Sequence, residues 1–77
     1  MSSLDALSEM LKRSGMSKYA LSKALGRSTT YISTTMQKGG DIGAENLARM
    51  AEVMGFRLVL DGKGEPIEVT PRSKEGD

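Results

Sequence analysis

Glycine interrupts this chain at close intervals. Gly15, Gly26, the pair Gly39 and Gly40, and Gly55 leave four segments between them, none longer than 14 residues. Glycine weakens a helix interior and readily adopts the left-handed conformation that ends one. Whatever this chain builds in its first 55 residues must therefore come from short elements joined by tight turns. Six Met against one Phe and no Trp suit small helices packed closely.

Apolar spacing makes those elements helices. In residues 3–14, Leu4, Leu7 and Leu11 share a face with Met10 beside them, Ser2 or Ser3 can cap the start, and Gly15 sits where a helix ends. A second helix follows Ser17 as its N-cap, with Met16 placed to staple onto Leu21. Its expected inner face is Ala20, Leu21, Ala24 and Leu25, and Gly26 ends it. The third segment, Thr29 to about Gln37 behind a Ser28 cap, holds mostly weak helix formers, and propensity alone would permit a strand. The four-residue spacing of Ile32 and Met36 favours a helix, with Thr35 a third candidate for its inner side. A fourth helix, about Ala44 to Met54, carries the stripe Leu47, Met50, Ala51 and Met54 and closes at Gly55.

Beyond Gly55 the period changes to two. Phe56, Leu58 and Leu60 alternate with Arg57 and Val59; Asp61 to Gly64 is turn chemistry; Ile67 and Val69 alternate with Glu68 and Thr70. Residues 56–70 thus read as a β-hairpin, and the polar residues 71–77 as a disordered tail. The expected fold is mainly α, four helices in residues 1–55 followed by the hairpin, in one domain of 77 residues.

Charge is unevenly placed. Between Met10 and Gly40 lie Lys12, Arg13, Lys18, Lys23, Arg27 and Lys38 and no acid, so this window is +6. The remainder holds five bases and ten acids, or −5, which hides the asymmetry in a net +1. A cationic stretch that also reads as two short helices around a tight turn points to a polyanion, with double-stranded DNA the first candidate. With neither Cys nor His, the chain lacks thiolate and imidazole ligands and the usual base at neutral pH. We expect no enzyme, no metal and no cofactor. No basic-then-apolar leader and no apolar run near ~18 residues stands in the sequence, so a cytoplasmic protein without membrane contact is expected.

Leu21, Leu25, Gly26, Ser28, Tyr31, Ile32 and Ser33, spaced as they are, resemble the helix-turn-helix core of the lambda-repressor/Cro family, often called XRE-type regulators. Gly39 is similar to the glycine after that family's recognition helix, and Leu47 to Gly55 resembles its fourth helix. The likeness covers roughly residues 4–56. Departures are Lys18 where Gln is common, Ser22 where a small Ala is usual, Met36 in place of a Glu, and no Pro in the loop at 37–43. The resemblance implies a lambda-repressor-like domain of a bacterial or phage-encoded transcriptional regulator, nucleoid-associated when bound.

On that reading the outer face of the third helix enters the major groove. Thr29, Thr30, Ser33, Thr34 and Gln37 are the expected base readers, and with no Arg or Asn among them no Arg–guanine pairing is expected. Lys18, Arg27, Ser28, Tyr31 and Lys38 are the expected phosphate contacts. Phe56, Leu58, Val59, Leu60, Ile67 and Val69 are many apolar residues for one ribbon, and the C-terminal strand of short prophage- and antitoxin-type relatives implies a homodimer built there. The expected function is a repressor on a pseudo-palindromic operator; the alternative is an antitoxin that neutralises a protein toxin and regulates its own operon.

Overall fold

The structure is a computed structural model and describes residues 1–71. The elements are α1 (Ser3–Ser14), α2 (Lys18–Ala24), α3 (Tyr31–Lys38), α4 (Ala44–Val53), β1 (Leu58–Leu60) and β2 (Ile67–Val69). The tail expected to be disordered lies, beyond the half-buried Pro71, outside the described residues. The molecule is thus mainly helical, with a two-stranded antiparallel hairpin after the helices.

Backbone accounting explains most of the boundaries. At the start of α1, the Ser2 hydroxyl accepts the Asp5 N–H (3.1 Å) while the Asp5 carboxylate accepts the Ser2 N–H (3.2 Å). This reciprocal box satisfies two donors that a helix start otherwise leaves orphaned. Ser17 does half the same job for α2, accepting from the Ala20 N–H at 3.0 Å. The ends of α2 and α4 close identically. Gly26 N–H donates to Lys23 O and Arg27 N–H to Ser22 O; Gly55 N–H donates to Glu52 O and Phe56 N–H to Ala51 O. That 6→1 and 5→2 pairing needs a left-handed residue at its centre, and Gly26 (φ 73°) and Gly55 (φ 84°) supply it.

The helices enclose one core of Leu7, Met10, Leu21, Ile32, Leu47, Met50, Ala51 and Met54. At about 1.5–3 kcal/mol for each fully buried large side chain, this cluster is the main stabilising element of a chain with no disulfide. Met16, Leu25, Met36 and Phe56 pack on its margin.

Several features differ from the sequence reading. First, α3 starts at Tyr31 rather than Thr29, and Ser28 does not cap it with its side chain. Thr30 holds the cap position, also without a side-chain hydrogen bond. Ser28 contributes only its carbonyl, accepting the Tyr31 N–H at 3.0 Å. Second, the inward position on α2 that Ala24 was expected to fill belongs to Ser22, fully buried, while Ala24 is exposed. Third, β1 begins at Leu58 rather than Phe56, because the Phe56 N–H is consumed in closing α4 (2.8 Å). Likewise α4 ends at Val53 and β2 at Val69. The strands pair Leu58 with Val69, Val59 with Glu68 and Leu60 with Ile67. Among the described residues, no helix is long and apolar enough to cross a membrane.

Candidate functional site

Ser22 ties α2 and α3 into one unit. Its hydroxyl donates to the Lys18 carbonyl (2.8 Å) and accepts the N–H of Ile32 (3.0 Å), ten residues away on α3. Its own carbonyl accepts from Arg27 N–H, at 3.0 Å, across the turn. A buried polar group costs stability unless it is hydrogen-bonded, and this one is saturated. It caps α3 from outside, supplying to the second N–H of the helix the partner that Ser28 and Thr30 do not. Leu21 and Ile32, both fully buried, fill the angle between the two helices.

With Ile32 buried and Thr35 and Met36 half-buried, the far side of α3 is open to solvent. The helical period places Thr30, Thr34 and Gln37 along the crest of that side, and all three are exposed. Ser33 and Tyr31 lie on opposite slopes. Ser33, exposed, joins Met36, Gln37 and Lys18 around a shallow depression on one slope. Half-buried Tyr31 turns the other way, to a cleft of about 220 Å³ that it shares with Leu25, Arg27, Asn46, Arg49 and Met50. Thr29 is exposed in the turn before the helix, beside Ser28. Lys38, exposed in the last turn, lies on the Tyr31 slope by helical period.

The electrostatics follow the same arrangement. Lys18, Arg27 and Lys38 are exposed and form no ion pair with a described residue. The Arg27 guanidinium lies over the Tyr31 ring, 4.8 Å from its centroid, which orders a side chain that would otherwise sweep through water. Lys23 lies 5.7 Å from the Tyr19 ring on the outer face of α2. Arg13 is engaged with Glu9 at 2.9 Å. Among the described residues no ion pair compensates the bases bracketing α3, and α3 carries a neutral hydrogen-bonding crest between them. Such a crest can donate to and accept from a partner's polar edges, and its threonine methyls can make apolar contact. Among the described residues, no group of three His, Asp or Glu stands close enough to hold a metal ion.

The residues expected to form a dimer do not sit together as one surface. Leu58, Leu60, Ile67 and Val69 share one face of the hairpin, whereas Val59 lies on the other beside Glu68. Phe56 and Leu58 pack against the core margin, and Leu60 and Ile67 project past it into solvent. An apolar groove of about 240 Å³ runs between α1, α4 and β1, with Ala6, Met10, Leu47, Ala51, Phe56 and Leu58 in its walls.

Sequence reasoning overlooked three participants. Ser22 carried a signal, a hydroxyl where a small apolar residue was expected. Asn46 and Arg49 read as the ordinary solvent face of α4, and only tertiary packing brings them beside Tyr31. In comparisons with protein-family models, with curated proteins and with solved structures, nothing matches this chain.

Proposed function

We propose that this protein is a sequence-specific DNA-binding regulator of the lambda-repressor/Cro kind, in which α2, the Gly26 turn and α3 form a helix-turn-helix and α3 enters the major groove. The observation that carries this reading is the exposed crest of Thr30, Thr34 and Gln37 on a helix locked to α2 by Ser22 and flanked by Lys18, Arg27 and Lys38, which form no ion pair among the described residues. An α-helix fits the major groove, and short hydroxyl and amide side chains reach base edges and thymine methyls there. Lys18, Arg27 and Lys38 would meet the phosphates, which supply most of the affinity and none of the sequence information. One recognition helix buries little surface, so tight binding calls for a second copy on a matching half-site. On this reading the protein is a cytoplasmic homodimeric repressor acting on a pseudo-palindrome.

The exposed apolar pair Leu60 and Ile67, together with an apolar groove lined by Phe56 and Leu58, favours a second reading as well. The same surface suits a protein toxin, and the chain would then be an antitoxin whose DNA binding is secondary. Selection of binding sites from genomic fragments with the purified protein, followed by titration at several salt concentrations, tests the DNA reading directly. Enrichment of one palindromic motif, with log K falling steeply against log salt, is the expected result. A chain that enriches nothing, or whose binding ignores salt, is not a DNA-binding regulator.

A further inference from the structure

A helix lying in a major groove has a sugar–phosphate backbone on each side. Lys18 stands on the Ser33 slope of α3 and serves one of them. On the opposite slope, the Tyr31 cleft gathers Arg27, Arg49 and Asn46 around an open concavity. Arg27 is held at its edge by stacking on Tyr31. Arg49 is restrained too, its side chain 34% exposed and 3.7 Å from Glu45 one turn earlier on α4. Guanidinium presents planar forked N–H donors that match a phosphate's paired oxygens, and the Asn amide and the Tyr hydroxyl add further donors.

We infer that the cleft of Arg27, Tyr31, Asn46 and Arg49 binds a backbone phosphate of the strand opposite the one that Lys18 grips, which makes α4 part of the DNA interface. The inference rests on the reading of α3 as a groove-reading helix. It adds two residues of α4 to which the sequence reading gave no role at the DNA. A carboxylate on a protein partner would satisfy the same donors. Phosphate is favoured because Tyr31 and Arg27 flank the entrance of α3 itself, so the ligand that engages the crest brings its backbone to the cleft. Glu45 is the cost of the arrangement, since its pairing with Arg49 loosens as the phosphate arrives.

The test uses a fluorescein-labelled, mixed-sequence DNA duplex, titrated by anisotropy over a series of KCl concentrations with the full chain. Phosphate contacts are blind to sequence, so no cognate site is required. Arg49→Gln and Lys18→Gln should each flatten the slope of log K against log salt by about one unit, and the double variant by about two. Arg49→Lys, which keeps the charge and loses the fork, should restore the slope but not the full affinity; a merely structural Arg49 would show no such split. If Lys18→Gln flattens the slope and Arg49→Gln leaves it unchanged, the cleft inference falls and the groove reading stands. If a poly-glutamate peptide binds in an Arg49-dependent way while the duplex slope ignores Arg49, the cleft is a carboxylate site and the inference is likewise overturned. Failure of the wild-type chain to bind duplex at any salt removes both.

Discussion

Leu60 and Ile67 are cross-strand partners in the hairpin, and they are 57% and 62% exposed while the next pair inward, Leu58 and Val69, is half-buried. The apolar face of the ribbon is therefore longer than the helical core beneath it. A two-stranded ribbon is marginal alone and leaves both edges unpaired, so the overhang has a use only if something covers it. A second copy is the occupant that the proposed two-fold DNA binding requires. Leu60→Glu combined with Ile67→Glu should leave the helical fold intact and convert a dimer to a monomer by light scattering. A wild-type chain that is monomeric at tens of micromolar, or a double variant that still pairs, would reduce the hairpin to a lid.

Specificity should lie in the crest and the Ser33 slope beside it. Thr30→Ala, Ser33→Ala and Thr34→Ala should each cost about 1–3 kcal/mol on the selected site and change binding to random duplex little. Equal losses on both DNAs would show that these hydroxyls only position the backbone.

Ser22→Ala removes the hydroxyl that satisfies the Ile32 N–H. An unsatisfied buried donor costs about 1–3 kcal/mol, and the better helix propensity of Ala returns roughly half a kcal/mol. Thermal unfolding followed by circular dichroism should shift down by about 4–8 °C for each kcal/mol lost. An unchanged Tm would mean that water or a shifted α3 replaces the bond.

Gly26→Ala probes the turn. A Cβ at this position meets nothing within 4 Å, so the penalty is that of a non-glycine residue at φ 73° alone. About 1–2 kcal/mol is expected for such a left-handed residue. A much larger loss in denaturant unfolding would point to a steric conflict that the geometry does not contain.

Among the described residues, acid sensitivity has an assignable source at Asp5. The Ser2 backbone N–H, and after it the Ser2 hydroxyl, hold the Asp5 carboxyl below its ordinary value. A folded value below the unfolded one (about 3.9 for Asp) means that the unfolded chain binds the proton more readily. The stabilisation is fully present above the unfolded value and is lost as pH falls through the folded one. Urea midpoints followed from neutral into strongly acidic solution should therefore fall less steeply in Asp5→Asn than in the wild type. Superimposable acid limbs would assign the loss to other carboxylates.

How much of this was legible in the sequence depended on the range of each interaction. The caps at Ser2 and Ser17 and the glycine ends at 15, 26 and 55 are settled within five residues, and the sequence reading matches the structure there. Leu7, Met10, Ile32, Leu47 and Met50 declared themselves by period. The start of α3 did not, because Ser28, Thr29 and Thr30 are equivalent by local chemistry and the deciding acceptor sits on another helix. The bond from the Ile42 N–H to Ser3 Oγ (2.8 Å), spanning 39 positions, was out of reach for the same reason. Asn46 and Arg49 acquire their setting only when the folded chain brings α4 across the cleft from Tyr31. At Phe56, alternation predicted a strand residue, but the backbone N–H was already committed to closing the preceding helix, and β1 begins at Leu58.

The outside cap on α3 also bears on how such a protein can change. Because Ser22 supplies the bond that anchors the helix entrance, Ser28, Thr29 and Thr30 owe nothing to stability through their side chains. Their hydroxyls can be exchanged for amides, guanidinium groups or methyls without loosening the fold. On the proposed reading, what α3 recognises can therefore drift by single substitutions at its leading end, each variant still folded well enough for selection to see it.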